Sequence, residues 1–318
     1  MDDGFYSGKR VLITGADGFI GSHLTEKLVD LGASVSVYVH KEKLENIGHI
    51  ENKLKEVIVG DVSDKETIDL IVKNKPQIIY HLAANNNVGY SIKNPLEVLN
   101  INFMGTINVL ESIRLIKDKE DSDFEILVFP STSEVYGKKE VAKESDFPDP
   151  RNPYADSKVS SEIFCRSYSL NYEVPVVVVR LFNVYGPRQG NNVVHIFTER
   201  ALKNEDLKLD GGGLQGKDFI YIDDIIGGLL ALGKSENVFG ESFNFGSGTS
   251  SSIKELAETI KNLTNSQSNL IFSELRPGDS IVKQRLDISK SKNLLGWEPK
   301  ISLEEGLRRT VEYYKSQQ

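Results

Sequence analysis

The chain has 318 residues, 39% hydrophobic and 26% charged, the composition of an ordinary globular protein with room for a large core. Its 38 basic against 46 acidic residues give a net charge of −8, which disfavours nucleic acid or an anionic membrane as the main partner but leaves room for a local basic site for a phosphorylated small molecule. The single cysteine, Cys165, permits no intramolecular disulfide and fits a reducing cytoplasm; there is no leader-like or membrane-length apolar run, and the five scattered histidines lack metal-ligand spacing, so no protein metal site is expected.

Lys9–Thr14 predicts a first strand and Phe19–Leu31 a helix stopped by Gly32. Between them runs Thr14-Gly-Ala-Asp-Gly-Phe-Ile-Gly21. Gly15, Gly18 and Gly21 carry no Cβ, so backbone N–H groups can close on a diphosphate, and the helix start at Phe19 and Ile20 adds unpaired donors. The same glycines also suit a strand-to-helix turn that holds nothing.

Ala33–Val39 predicts a second strand. A carboxylate at its end would bind an adenosine ribose diol and favour NAD, but here His40 and Lys41 follow. They suit a ribose 2′-phosphate, a lean toward NADP, and equally suit a solvated loop. Glu56–Gly60 is the third strand, closing on Asp61 and Val62, with a helix over Asp64–Lys73. Gln77–Leu82 is an apolar fourth strand of the buried parallel kind, running into Ala83 and Ala84, where small residues let a flat ring or diphosphate lie close over Leu82 and the strand end. Pro95–Leu115 predicts one long helix, and Phe124–Phe129 and Val174–Leu181 the fifth and sixth strands. This alternation specifies an α/β fold, a doubly wound parallel Rossmann sheet whose ligands lie beyond the carboxyl ends of the strands.

After about residue 185 the pattern loosens. Helices are expected over Val193–Lys203, Asp223–Gly233, Ser252–Leu263 and Ser302–Tyr314, with short strands at Phe219–Ile222 and Ser242–Phe245 and a glycine-rich turn over Asp210–Lys217.

Two clusters carry chemistry. Tyr154 and Lys158 lie one helical turn apart on one face, where an ammonium beside a phenol lowers the phenol's pKa and readies it to take a proton from a hydroxyl. Ser131–Gly137 (STSEVYG) ends the fifth strand; its Thr132 hydroxyl suits a proton shuttle to Tyr154, and Glu134 suits either a base or a structural carboxylate.

TGADGFIG (14–21), GDV (60–62), HLAA (81–84), NxxGT (102–106), STSEVYG (131–137), YADSK (154–158), RLFNVYGPRQ (180–189), DFIYIDDI (218–225) and LGWEP (295–299), in that order, resemble the extended short-chain dehydrogenase/reductase superfamily, specifically its nucleotide-sugar epimerase/dehydratase family. The resemblance implies that Gly15, Gly18, Gly21, Asp61 and Lys158 hold NAD or NADP tightly, that Thr132, Tyr154 and Lys158 are catalytic, and that Ser133, Asn183, Arg188 and Arg285 face a nucleoside-diphosphate sugar. It implies a dinucleotide-binding domain over 1–185, to which the chain returns within about 217–250, a smaller C-terminal α/β substrate domain over 186–318, and a homodimer packed through the 95–115 and 153–171 helices.

The implied reaction is internal redox through a 4-keto sugar. Glu134 matches the base of the family's 4,6-dehydratases and is also found in its decarboxylases. Ser133, however, stands where many dehydratases carry the aspartic acid that protonates the leaving hydroxyl, although some dehydratases of GDP-sugars share the Ser-Glu pair. GGGLQGKDFIYIDDI and LRPGDSIVKQRLDISKSKNLLGWEP look more like 4-epimerases, with Lys217 where arginine is usual. A UDP-hexose 4-epimerase is therefore the leading reading. A 4,6-dehydratase follows and an NADPH-linked 4-keto-sugar reductase is third, with an NDP-uronic acid decarboxylase and a non-catalytic dinucleotide-binding protein as further alternatives.

Overall fold

Val11, Leu12 and Ile13 are shielded from solvent because their strand has a paired neighbour on each side. The computed structural model describes residues 4–190, 192–236, 238–275 and 281–317. Strands β1 (Arg10–Thr14), β2 (Ser34–Val39), β3 (Glu56–Val59), β4 (Ile78–His81), β5 (Ile126–Thr132), β6 (Val176–Leu181) and β7 (Ser242–Phe245) form one parallel sheet. Their order is β7-β6-β5-β4-β1-β2-β3, so the winding reverses between β1 and β4. That reversal opens a crevice at the carboxyl ends of these two strands.

Helices α1 (Phe19–Asp30), α2 (Glu66–Asn74), α3 (Gly105–Lys117) and α4 (Pro153–Tyr172) pack on the sheet. Leu12, Ile79 and Leu127 of the sheet join Val109 and Ile113 of α3 and Cys165 of α4 in one buried apolar cluster. Burial of this kind is worth about 25 cal/mol per Å² of apolar surface and anchors the strand ends that carry the polar residues.

Two expectations need revision. The single helix over Pro95–Leu115 is instead a short α-helix (Pro95–Leu99), a π-helical segment (Asn100–Met104) and α3. The wider turn directs Asn102 into the interior, where it is hydrogen-bonded on both sides. The fifth strand runs past Phe129 to Thr132. The ladder with β4 ends at the Tyr80–Val128 pair, so Pro130 sits where its missing N–H costs that ladder nothing.

The chain divides into two compact units, Met1–Gly137 with Phe147–Arg180 and Leu229–Phe243, and Lys138–Asp146 with Leu181–Gly228 and Asn244–Gln318. In the second unit Leu207–Asp210 and Leu270–Ser273 form a parallel pair that the sequence pattern does not announce. The Trp297 indole of LGWEP stacks on Phe245 at 4.1 Å and donates to the Asp224 carbonyl, which explains a tryptophan there. Among the described residues no helix is long and apolar enough to cross a membrane.

Candidate active site

Gly15 leaves β1 with φ +68°, and a Cβ there would lie 2.7 Å from the Ala83 nitrogen beyond β4. A Cβ on Gly21 would lie 2.2 Å from the Gly15 carbonyl oxygen. The loop, the first turn of α1 and the Ala83 backbone are thus stacked at glycine distance, and Ala83 N–H also donates to the Thr14 hydroxyl. Helix α1 has no side-chain cap at Gly18 and no acid in its first turn, so the N–H groups at Phe19 and Ile20 begin a helix whose first turn carries no carboxylate of its own. This cradle fits a dinucleotide diphosphate. Asp61 follows β3 and accepts from the backbone and hydroxyl of Ser63; Val62 is buried against Gly105. Leu82, Ala83 and Ala84 are half-buried, while His40 and Lys41 lie exposed beyond β2.

Asp17, inside the glycine loop, was not singled out by its sequence context. Its carboxylate accepts from the backbone N–H groups of Glu45, Asn46 and Ile47 at 2.9, 2.8 and 3.1 Å, tying the segment after His40 and Lys41 to the loop.

Beneath the strand ends lies a polar layer. His81 contacts the Thr14 hydroxyl through Nδ1 at 2.7 Å and the Thr106 hydroxyl through Nε2 at 3.2 Å. Burial and the nearby Lys158 charge hold its pKa down at about 3, so it is a neutral imidazole that serves as a strut. Asn102 accepts from the Asn85 backbone N–H and donates to the Asn85 carbonyl and the Ser157 hydroxyl. It locks the segment after Ala84 to α4. The NxxGT spacing marks this residue, but only the π-helical turn explains it.

Asn152 caps α4 through the Ala155 N–H, and Pro153 opens the first turn. Tyr154 and Lys158 follow, 8% and 4% exposed. Thr132 and Ser133 are buried at the end of β5, and Thr132 hydrogen-bonds the Tyr154 phenol. Its hydroxyl also accepts the Glu134 N–H at 3.2 Å. The Glu134 carboxylate accepts from Asn152 Nδ2 at 3.2 Å. The structure therefore brings Thr132, Ser133, Glu134, Tyr154 and Lys158 together in the first unit. The Ser131 hydroxyl is also buried there, without a hydrogen-bond partner.

One detail reverses the sequence expectation. Tyr154 is not lowered by Lys158: burial pushes the phenol up to about 12, against the pull of the Thr132 hydrogen bond, and the Glu134 charge adds to the rise. The Lys158 ammonium donates to the Pro130 carbonyl at 2.9 Å and stands 4.7 Å above the Phe129 ring. Burial lowers Lys158 to about 8, with Cys165 and Glu162 pulling the other way.

The second unit holds the other predicted residues. Asn183 is exposed, its carbonyl accepting from Ile220; Arg188 is half-buried with φ +68°; Arg285 is exposed and donates to the Gly248 carbonyl at 3.4 Å. Lys217 donates to Gln284 at 2.6 Å. Asp218 is fully buried and accepts four hydrogen bonds, from the N–H and hydroxyl of Ser247 and the N–H groups of Gly248 and Leu286. It clamps the strand after Lys217 to the strand of Arg285. Residues 276–280, within the LRPGD segment, lie outside the described residues.

The family model described as GDP-mannose 4,6 dehydratase matches residues 12–310. The chain belongs to this nucleotide-sugar epimerase/dehydratase family of extended short-chain dehydrogenases/reductases. It is similar to UDP-glucuronic acid decarboxylase 1 of Xenopus tropicalis, 37% identical over 97% of this chain and 73% of that protein. It is 32% identical to a UDP-glucose 4-epimerase of Mycolicibacterium smegmatis over 96% of this chain and 99% of that one. Among solved structures it resembles the UDP-glucuronic acid 4-epimerase of Bacillus cereus in complex with UDP-glucuronic acid and NAD, with 30% identity, a TM-score of 0.86 and coverage of 97% and 99% of the two chains. It is an NAD(P)-dependent enzyme of this epimerase, dehydratase and decarboxylase class.

Proposed function

We propose that this enzyme is a 4-epimerase of a nucleoside-diphosphate hexose, with UDP-sugars as the first substrates to test. The observation that carries the reading is the buried set Thr132, Tyr154 and Lys158, with a serine, Ser133, beside Glu134. Many dehydratases of the family carry an aspartic acid to protonate the departing hydroxyl where this chain has Ser133, and although some dehydratases of GDP-sugars share the Ser-Glu pair, the serine weighs toward an epimerase. The 4-epimerase relatives support the same choice.

In this reading the glycine loop and the start of α1 hold the dinucleotide diphosphate, Asp61 and Val62 the adenine end, and Leu82, Ala83 and Ala84 line its path. When bound, the oxidised dinucleotide supplies a hydride acceptor and a positive ring charge. Tyr154 takes the proton of the C4 hydroxyl, with the Thr132 hydroxyl bridging, and Lys158 holds positive charge near the phenolate. With the C4 hydride passed to that acceptor the sugar would be a 4-ketone, and once the ketone had turned over and taken the hydride back on its other face, Tyr154 would return the proton to the C4 oxygen. Ser133 orients the sugar, and Asn183, Arg188 and Arg285 hold the diphosphate and ribose of the sugar nucleotide. His40 and Lys41 favour the 2′-phosphate of NADP.

Incubation with UDP-glucose, UDP-GlcNAc and GDP-mannose tests the reading: C4 epimers support it, and 4-keto-6-deoxy products replace it with a dehydratase. Tyr154→Phe should abolish turnover and spare dinucleotide binding. NADP affinity at least tenfold above that for NAD would support the assignment of His40 and Lys41, and a preference for NAD would remove it. The dehydratase keeps second place because Glu134 is close enough to raise the Tyr154 phenol.

The enzyme forms a homodimer in this reading. Ile92 and Leu96 of the 88–99 segment and Ile163 and Leu170 of α4 are 64%, 80%, 61% and 71% exposed, an apolar face unlike that of a solvated monomer.

A further inference from the structure

Glu162 lies one turn beyond Lys158 on α4 and is 8% exposed. Its carboxylate takes Arg180 of β6 in a fork, Nη2 to Oε2 at 2.6 Å and Nε to the two oxygens at 3.1 and 3.2 Å. Arg180 is 6% exposed and donates through Nη1 to the Tyr136 hydroxyl at 2.7 Å, with its guanidinium 4.9 Å from the Tyr136 ring centre. Tyr136 closes the Ser133–Tyr136 turn that carries Glu134. One buried chain of contacts therefore joins the helix of Tyr154 and Lys158, the strand of Arg180 and the turn of Ser133 and Glu134. Burying two charges costs desolvation that their attraction only partly returns, so an ion pair is a costly fastener where an apolar contact would serve.

We infer that Glu162 and Arg180 are positioning residues of the reaction: their opposite charges, held one helical turn from Lys158, set the pH range over which Lys158 remains an ammonium beside Tyr154. The inference rests on the proposal that Tyr154 and Lys158 are the acid–base pair. Other groups do not cover this role. Among the described residues, His81 faces Lys158 from β4 but is neutral, Cys165 on α4 is held as a thiol by burial, and from β5 Lys158 meets the Pro130 carbonyl and the Phe129 ring. Glu134 acts on the Tyr154 phenol from the turn. Cys165 and Glu162 both oppose the burial of the Lys158 charge, and Glu162, the carboxylate of the two, lies one turn along α4 from Lys158 with Arg180 paired to it.

The two halves of the pair should act in opposite directions. Glu162→Gln keeps an acceptor oxygen for Arg180 but removes the anion, so the alkaline limb of the kcat–pH profile moves down by about half to one pH unit. Arg180→Gln leaves Glu162 unneutralised, and the limb moves up by a similar amount. Arg180→Lys disturbs the packing but keeps the charge, and leaves the limb in place. KM for the sugar nucleotide stays within about twofold of wild type in each. Thermal melts identify the folded variants, and either glutamine variant that folds decides the matter. An unmoved limb, or limbs that move together in all three variants, would overturn the inference and reduce the ion pair to a structural fastener. If the wild type turns over sugar nucleotides and Tyr154→Phe does not, such a result leaves the acid–base reading standing. If Tyr154→Phe remains active, the reading and the inference fall together.

Discussion

The Lys158 ammonium sits 2.9 Å from the Pro130 carbonyl oxygen, at the point where β5 has passed the end of its ladder with β4. A proline there leaves a carbonyl to accept the lysine but brings no N–H of its own, and the Lys158 ammonium stands 4.7 Å from the Phe129 ring centre. The charge is paid for in stability: burial holds Lys158 at about 8 against an ordinary 10.5.

The sign follows from that depression. Because the folded pKa lies below the unfolded one, the unfolded chain binds more protons between about pH 8 and 10.5, and stability rises with pH across that window. Lys158→Met should therefore abolish turnover while raising the thermal midpoint at pH 7 by about 2–3 °C, of order 1 kcal/mol after the lost Pro130 bond is deducted. The gain should shrink as pH approaches 10. Scanning calorimetry of both proteins at pH 7 and 9.5 checks this, and a variant less stable than wild type at pH 7 would contradict it.

The glycine loop permits a graded test. Gly21→Ala places a methyl 2.2 Å from the Gly15 carbonyl oxygen and 2.9 Å from the Ala16 Cα, both backbone atoms that cannot swing aside. Helix α1 must then lift off the loop, and dinucleotide affinity should fall at least about tenfold. At Gly18, where φ is −75°, the methyl meets the same oxygen at 3.2 Å, and the loss should be smaller. Titration calorimetry with NAD and NADP gives the order. Equal losses in the two variants would show that close packing is not what those glycines provide.

How much of this was legible in the sequence depends on the range of the interaction. TGADGFIG reports a local backbone requirement, so strand, loop and helix were readable from it, as was the Tyr154–Lys158 spacing on one helix face. What the sequence withheld was made by distant partners. Lys158 is drawn to Pro130, 28 residues away, and Tyr154 is raised by burial, which no spacing rule encodes. The π-helical turn at Asn102 sits within a periodic apolar pattern that a continuous helix satisfies equally well, and only Asn85 and Ser157 reveal its purpose. Asp17 reads as the variable position of a glycine motif until Glu45, Asn46 and Ile47 are seen folded onto it.

Glu134 separates the two leading reactions. Its carboxylate accepts from Asn152, the cap of α4, which suits a structural anion. In an epimerase, Glu134→Gln keeps the amide oxygen as an acceptor and should leave turnover within about tenfold of wild type. In a dehydratase the same change removes the base for the C5 proton, and general acid–base catalysis of that kind is worth about 10²–10⁴ in rate. Following C4 epimers and 4-keto-6-deoxy sugars by NMR in one experiment reads both outcomes.

The exposed apolar face of the first unit leads to the last prediction. Leu96 and Ile163 are 80% and 61% exposed, and the helices that carry them, Pro95–Leu99 and α4, pack against each other. Monomers rarely leave such a face in water. Wild type should scatter light as a dimer at micromolar concentration. The double variant Leu96→Asp, Ile163→Asp should be a monomer that still binds dinucleotide, because neither side chain supports the core. A monomeric wild type, or a double variant that remains dimeric, would place the interface elsewhere.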